Sequence, residues 1–200
     1  MKEQYLSTKL LMNPILKDIP YSFETDHLTI RGSLPGDGAR VRTAALESQA
    51  ELKPWMPWAV EIASEESYEI RAREGELNYL GRKDFWLLLF LKGTDTLIGC
   101  SGLHNANWDV PSFEIGYWLH TEHTGQGYMT EAVQAICQLA FTHLDAQRLF
   151  IRCDSENKAS AAVARRCGFT FEGTHLHDSR HHITKELTST HFFSRLPQKT

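Results

Sequence analysis

F-E-I-G-Y-W-L-H-T-E-H-T-G-Q-G-Y-M-T-E-A, residues Phe113 to Ala132, reads in succession as a strand, a glycine-rich turn and the start of a helix. Gly125 and Gly127 carry no Cβ, so the backbone between them can turn sharply and aim several amide N–H groups at one ligand. The helix that follows opens with N–H groups that lack intrahelical partners, and its dipole adds partial positive charge there. The two features together predict an anion cradle suited to a phosphate or pyrophosphate, and hence a phosphorylated cofactor. The glycine pattern is not that of a dinucleotide or ATP loop. Position 130 is Thr, so no G-x-G-x-x-G is completed, and no Lys follows the second glycine.

Outward from this stretch the chain alternates strands and helices. His27 to Gly32 predicts a first strand, Asp37 to about Ser48 a helix, and Ser64 ahead of Glu65 and Glu66 the start of another. Phe85 to Leu91 is almost wholly apolar, Gly93 to Asp95 turns, and Leu97 to Leu103 returns, which predicts a hairpin of buried strands. Asn105 to Pro111 reads as a loop. After the glycines, Ala132, Val133, Ile136, Cys137, Ala140, Phe141 and Leu144 recur at intervals of three and four, as on the buried face of an amphipathic helix. Leu149 to Cys153 predicts the next strand. Asn157 caps a helix to about Cys167, with Gly168 as its left-handed exit. Phe169 to Thr174 and Glu186 to Ser194 complete a mixed α/β sheet.

Two hundred residues, 42% of them hydrophobic, suffice for one substantial core. Residues 1–23 read as an N-terminal extension and 24–196 as the single domain. A net charge of −4 argues against nonspecific nucleic-acid binding, which relies on clustered Lys and Arg. Cys100, Cys137, Cys153 and Cys167 show no C-x-x-C spacing and are expected to be reduced thiols of a cytoplasmic protein. Lys9, Asn13 and Pro14 interrupt the apolar residues near the N-terminus, so no signal sequence is expected, and no segment reaches the ~20 apolar residues of a membrane span. His175, His177, His181 and His182 lack a regular ligand spacing with a carboxylate or thiolate, and no metal is expected.

Two further segments accompany the glycine stretch: C-D-S-E-N-K-A-S-A-A-V-A-R-R-C-G-F, Cys153 to Phe169, and E-L-K-P-W-M-P-W, Glu51 to Trp58. With them the chain resembles the GNAT acyl-CoA N-acetyltransferases, in particular the RimJ/RimL-like branch that modifies protein N-termini and some small amines. Asn157, Ser160, Val163, Gly168 and Phe169 fall on that family's N-x-x-S-x-x-V and closing G-F. The resemblance implies a largely antiparallel mixed sheet flanked by helices, with a splayed strand pair holding acetyl-CoA as cosubstrate. It assigns cofactor contacts to Trp118, Leu119, His120, Thr124, Gly125, Gln126, Gly127, Tyr128, Met129, Thr130, Asn157 and Ser160. Two positions depart from the wider family: Glu122 stands where Arg or Gln is usual, and Ala164 where many members carry a tyrosine proton donor.

An ammonium has no lone pair with which to attack a thioester, so an amine acceptor must lose a proton at or before attack. Glu114, on the strand into the glycine loop and on one face with Trp118 and His120, is the expected base, with His120 the alternative. Ser160, at the third position of its helix, is expected to keep a free hydroxyl for the leaving thiolate. Backbone amides near Trp118 and Leu119 are expected to polarise the thioester carbonyl. Trp55 and Trp58 are candidates to wall the acceptor pocket, and Asp178 to contact a cationic acceptor. The expected acceptor is a protein N-terminal α-amine of ribosomal-protein type. A polyamine, aminoglycoside or amino acid is the runner-up, and a non-catalytic acyl-CoA-binding protein the third reading. A homodimer is the assembly allowed for.

Overall fold

Phe85–Leu91 has apolar side chains pointing both ways, which only a strand covered on both faces can use. The computed structural model describes residues 13–198, and in it this segment is β3 of an eight-stranded sheet. The strands are β1 (Ser22–Glu24), β2 (Leu28–Gly32), β3 (Phe85–Leu91), β4 (Leu97–Asn107), β5 (Ser112–Leu119), β6 (Arg148–Asp154), β7 (Thr170–Arg180) and β8 (Leu187–Arg195). Their order is β1-β2-β3-β4-β5-β6-β8-β7, antiparallel throughout except for the parallel β5–β6 pair.

Helices cover both faces. Phe85, Leu87 and Leu89 join the core beneath α4 (Tyr128–His143), where Met129, Val133, Ile136 and Ala140 form the buried stripe that the spacing predicts. Trp86, Leu88 and Phe90 face the other way, against Val41 and Ala45 of α1 (Gly38–Glu47) and Tyr68 and Ala72 of α3 (Glu65–Leu80). A short α2 (Gln49–Leu52) leads into the Trp55–Trp58 segment. The caps are as expected. Ser64 Oγ accepts from the Ser67 N–H, and Asn157 Oδ1 accepts from the Ser160 N–H at 3.0 Å at the start of α5 (Lys158–Arg166). Gly168 leaves α5 with φ 76°.

Three expectations fall short of the structure. β1, Ser22–Glu24, begins inside the expected extension and crosses its boundary at residue 23, and Tyr21 Oη donates to the Ser33 carbonyl; residues 1–12 of that extension lie outside the described residues. β4 runs on to Asn107 through an irregularity at Asn105, whose φ is 51°. β7 continues to Arg180, so His175 and His177 lie in a strand rather than in a loop. Most of β7 is exposed, so it carries no apolar alternation to betray it.

Candidate active site at the splayed strands

The register lays three rows of residues across the α1/α3 face of the sheet. Leu88, Cys100 and Trp118 form one row, and Trp86, Gly102 and Gly116 form the next. In the third row His104 pairs with Glu114, and Asp84, just before β3, reaches the His104 ring. The two glycines leave a bare patch of sheet, into which the His104 imidazole leans. A Cβ on Gly102 would lie 2.9 Å from His104 Nε2, and one on Gly116 3.3 Å from its Cδ2. Nδ1 is 2.7 Å from Asp84 Oδ2, so an N–H there donates to the carboxylate and leaves Nε2 as the free lone pair. A cavity of about 150 Å³ opens over this patch, walled by Trp58, Trp86 and Trp118, with His104 in its lining.

On the other side of β5 the sheet parts. β5 and β6 pair only at Ser112–Arg148, Phe113–Leu149 and Glu114–Phe150. Beyond them a second cavity, of about 110 Å³, lies between Ile115–Tyr117 and Ile151–Asp154 and reaches Asn157 and Ser160. Met56, Gly116 and Tyr117 line both cavities, so the two meet at the point where the strands separate. His120 N–H donates to the Ile98 carbonyl at 2.7 Å. Counting back from it, alternation turns the Trp118 amide toward β4 and the Leu119 amide toward the gap.

The glycine loop follows β5 at the end where it has left β6. Gly125 (φ 76°) and Gly127 (φ 90°) are both left-handed, and Gly127 stands immediately before α4. Nothing lies within 4 Å of a Cβ built on either, so their surroundings are open for a ligand. Thr124 Oγ1 and Gln126 Nε2 hold the loop's own carbonyls, at Thr121 and Glu122. Arg166 Nε donates to Thr130 Oγ1 at 3.1 Å, which brings a guanidinium to the first turn of α4. That cation was not read from the sequence, because it arrives from α5. It stands beside a loop in which Glu122 occupies the usual basic position.

Glu114 lies on the expected face, but its carboxylate is engaged. Arg152 of β6 donates to both oxygens, at 2.9 and 2.8 Å, and Asn105 Nδ2 donates at 2.7 Å. Glu114 lines neither cavity. His120 is buried, with Nε2 2.9 Å from Glu47 and Nδ1 accepting from the Glu122 N–H. It caps the Thr121–His123 turn and pins the loop to α1. Ser160 lines the gap, yet its hydroxyl is not free: Tyr117 Oη lies 3.1 Å from Oγ and donates to the Ser160 carbonyl at 3.0 Å. Burial pushes the Tyr117 phenol and the neighbouring Cys153 thiol up, so both are neutral at pH 7.

Trp55 and Trp58 stand where the sequence suggested, Trp55 on the gap and Trp58 against Trp118, with ring centres 5.7 Å apart. His181 Nε2 donates to the Pro54 carbonyl and His182 Nε2 to that of Lys53, fastening the β7–β8 turn to the segment that carries both tryptophans. Asp178 accepts from Thr190 Oγ1 and lines neither cavity. His104, Asp84, Tyr117 and Arg166 escaped the sequence reading. The signal for His104 was its spacing two residues beyond Gly102 in a strand that leads to the site.

Residues 27–170 match the profile of the acetyltransferase (GNAT) domain, so the chain belongs to the GNAT acetyltransferase family. It is 31% identical over 149 residues to a Bacillus subtilis (strain 168) protein described as "Putative ribosomal N-acetyltransferase YdaF", covering 74% of this chain and 80% of that one. It is 30% identical over 125 residues to the ribosomal-protein-serine acetyltransferase of Escherichia coli (strain K12), covering 60% and 69%. Among solved structures, RimL, the ribosomal L7/L12 alpha-N-protein acetyltransferase in complex with coenzyme A, shares the fold with a TM-score of 0.79 at 24% identity, over 89% of this chain and 97% of that one.

Proposed function

We propose that this protein moves an acetyl group from acetyl-CoA to the α-amine of a protein N-terminus, with a ribosomal protein in the cytoplasm as acceptor, by direct transfer in a ternary complex. The observation that carries the reading is the meeting of two cavities at Gly116 and Tyr117, one on the sheet face beneath His104 and one in the β5–β6 gap. Two substrates can then approach from different sides of one strand. The ribosomal acceptors named for relatives that cover most of their own length support the choice of amine.

The residues fit the cosubstrate. Gly125 to Gly127 and the first turn of α4 offer amides to a pyrophosphate, Arg166 adds a cation, and Asn157 and Ser160 flank the gap. Thr124, Gln126, Tyr128, Met129 and Thr130 belong to that same cradle, and His120 acts by pinning it to α1. Acetyl-CoA supplies the thioester whose acetyl group is transferred. We assign the base to His104 rather than to Glu114 or His120: its Nε2 faces the acceptor cavity while Asp84 fixes the tautomer. The Leu119 amide points to where the carbonyl oxygen gains charge. The hydroxyls of Ser160 and Tyr117 lie beside the gap, and one of them serves the departing thiolate by turning out of the hydrogen bonds that now join the two residues.

Thiol release from acetyl-CoA, followed against ribosomal-protein N-terminal peptides, polyamines and aminoglycosides, tests the reading. Peptides are expected to be the preferred acceptors. Release with polyamines or aminoglycosides alone would move the protein to small-amine acetylation, and no release with any acceptor would make it an acyl-CoA-binding protein.

A further inference from the structure

An exposed cation stands at the edge of the acceptor cavity with no counterion among the described residues. Arg71 of α3 lines it, its guanidinium carbon 4.7 Å above the Trp86 ring. Four arginines are paired with carboxylates at 2.8 Å or less, Arg31 with Asp37, Arg73 with Glu69, Arg148 with Glu172 and Arg152 with Glu114, while Arg42, Arg82, Arg166, Arg180 and Arg195 donate to neutral oxygens. Arg71 forms no ion pair or hydrogen bond among the described residues, and no carboxylate lines the cavity. The one thiol there, Cys100, is pushed up to about 12 by burial and stays neutral. The rest of the lining, with its tryptophans, tyrosines, Met56 and Ser101, holds no negative charge to offset Arg71, whose side chain is exposed to solvent.

From this we infer that the acceptor carries a carboxylate close to its reacting amine, and that Arg71 selects for it. The inference rests on the acetyl-transfer reading above. His104 and Arg71 line the same cavity, so an acceptor whose amine meets His104 brings its first residues within reach of Arg71. A guanidinium seated over an indole and bonded to nothing else has its N–H groups free for bidentate contact with a carboxylate. This runs against the cationic acceptor that Asp178 was expected to contact, because the local charge at the site is opposite in sign to the net charge of −4 of the chain. Two sources offer this chemistry: an acidic residue at the first or second position of a protein N-terminus, and the α-carboxylate of a free amino acid.

The test compares octapeptides that begin Ser-Asp, Ser-Asn and Ser-Lys and are otherwise identical, together with free aspartate and glutamate, on the full chain. Ser-Asp is expected to exceed Ser-Lys by about 10- to 100-fold in kcat/KM, the scale of one charge-assisted bidentate contact. Calorimetric affinity for the N-acetylated Ser-Asp peptide, a readout free of turnover, should show the same order. Arg71→Gln should erase the preference and Arg71→Glu reverse it toward Ser-Lys. Equal rates for the three peptides in the wild-type protein, or a preference that survives in Arg71→Gln, would overturn the role of Arg71 while leaving N-terminal acetylation standing. Arg71-dependent use of the free amino acids in place of peptides would uphold carboxylate selection and overturn the protein acceptor. No turnover of any acceptor, with no binding of the acetylated peptide, would remove both.

Discussion

Asp84 and His104 stand twenty positions apart in sequence and 2.7 Å apart in space, their contact made by the antiparallel pairing of β3 with β4. The carboxylate accepts the hydrogen bond of Nδ1–H and so presents the bare Nε2 to the cavity. If His104 is the base, His104→Gln should lower turnover near pH 7 by about 100- to 10,000-fold with little effect on acetyl-CoA affinity. The deficit should shrink as pH passes the acceptor's own pKa, near ~8 for an α-amine, because free amine then comes from solution. Parallel pH-rate profiles for the two proteins would return the role to Glu114.

The bare patch of sheet beneath that ring gives a subtler test. A Cβ on Gly116 would sit 3.3 Å from His104 Cδ2 and 3.6 Å from Nε2, so the ring must shift by a few tenths of an ångström. Gly116→Ala should cost roughly 10-fold in kcat through misplacement alone, with the melting temperature little changed. Gly102→Ala is a different case, since its Cβ would meet the Phe85 carbonyl at 2.5 Å, and it should lower the melting temperature clearly. Wild-type kcat in Gly116→Ala would detach the ring position from the chemistry.

Gly127 tests the anion cradle. At φ 90° a β-branched residue is strained by about 1–2 kcal/mol, although no neighbouring atom obstructs it. The relief of that strain moves the backbone that faces the ligand. Gly127→Val should therefore weaken acetyl-CoA binding in titration calorimetry while circular dichroism shows a folded protein. Unchanged affinity in the folded variant would remove the loop from the cosubstrate site.

Acid should expose a different contact. Hydrogen bonds from Arg148 and then from Ser194 hold the Glu172 carboxyl at about 2, well below the 4.5 of an unperturbed glutamate. A depressed folded-state pKa contributes stability that is present in full above the unfolded value and is lost as pH falls through the folded one. The wild type should therefore exceed Glu172→Gln in urea midpoint above about pH 4.5, and the difference should close as pH falls toward 2. A difference that stays constant over that window would show that the gain is not electrostatic.

What could be read in the chain follows from which forces are local. The both-faced apolar run of β3, the spacing of Ala132 to Leu144 on α4, and the Asn157 cap are written in consecutive residues, and the structure reproduces them. β7 was read short because an exposed strand needs no alternation. Glu114 lay on the predicted face, but its partner Arg152 comes from a strand 38 residues on, and no local pattern announces it. His120 belongs to the next element: the strand ends at Leu119, and the imidazole becomes a cap buried against Glu47. Arg71 and Arg166 reach the site from helices whose docking is a tertiary event, so their side chains looked like ordinary solvated charges.

The parting of β5 from β6 after Glu114 and Phe150 means that this sheet has a seam inside it as well as a rim around it. Ile115–Leu119 and Ile151–Asp154 are each laddered on one side only, by β4 and by β8. Unladdered strand edges invite foreign strands, and proteins usually blunt them with charge or cover. On the proposed reading acetyl-CoA lies in that seam, so the cosubstrate would be a mortar between the two halves of the sheet as well as a donor.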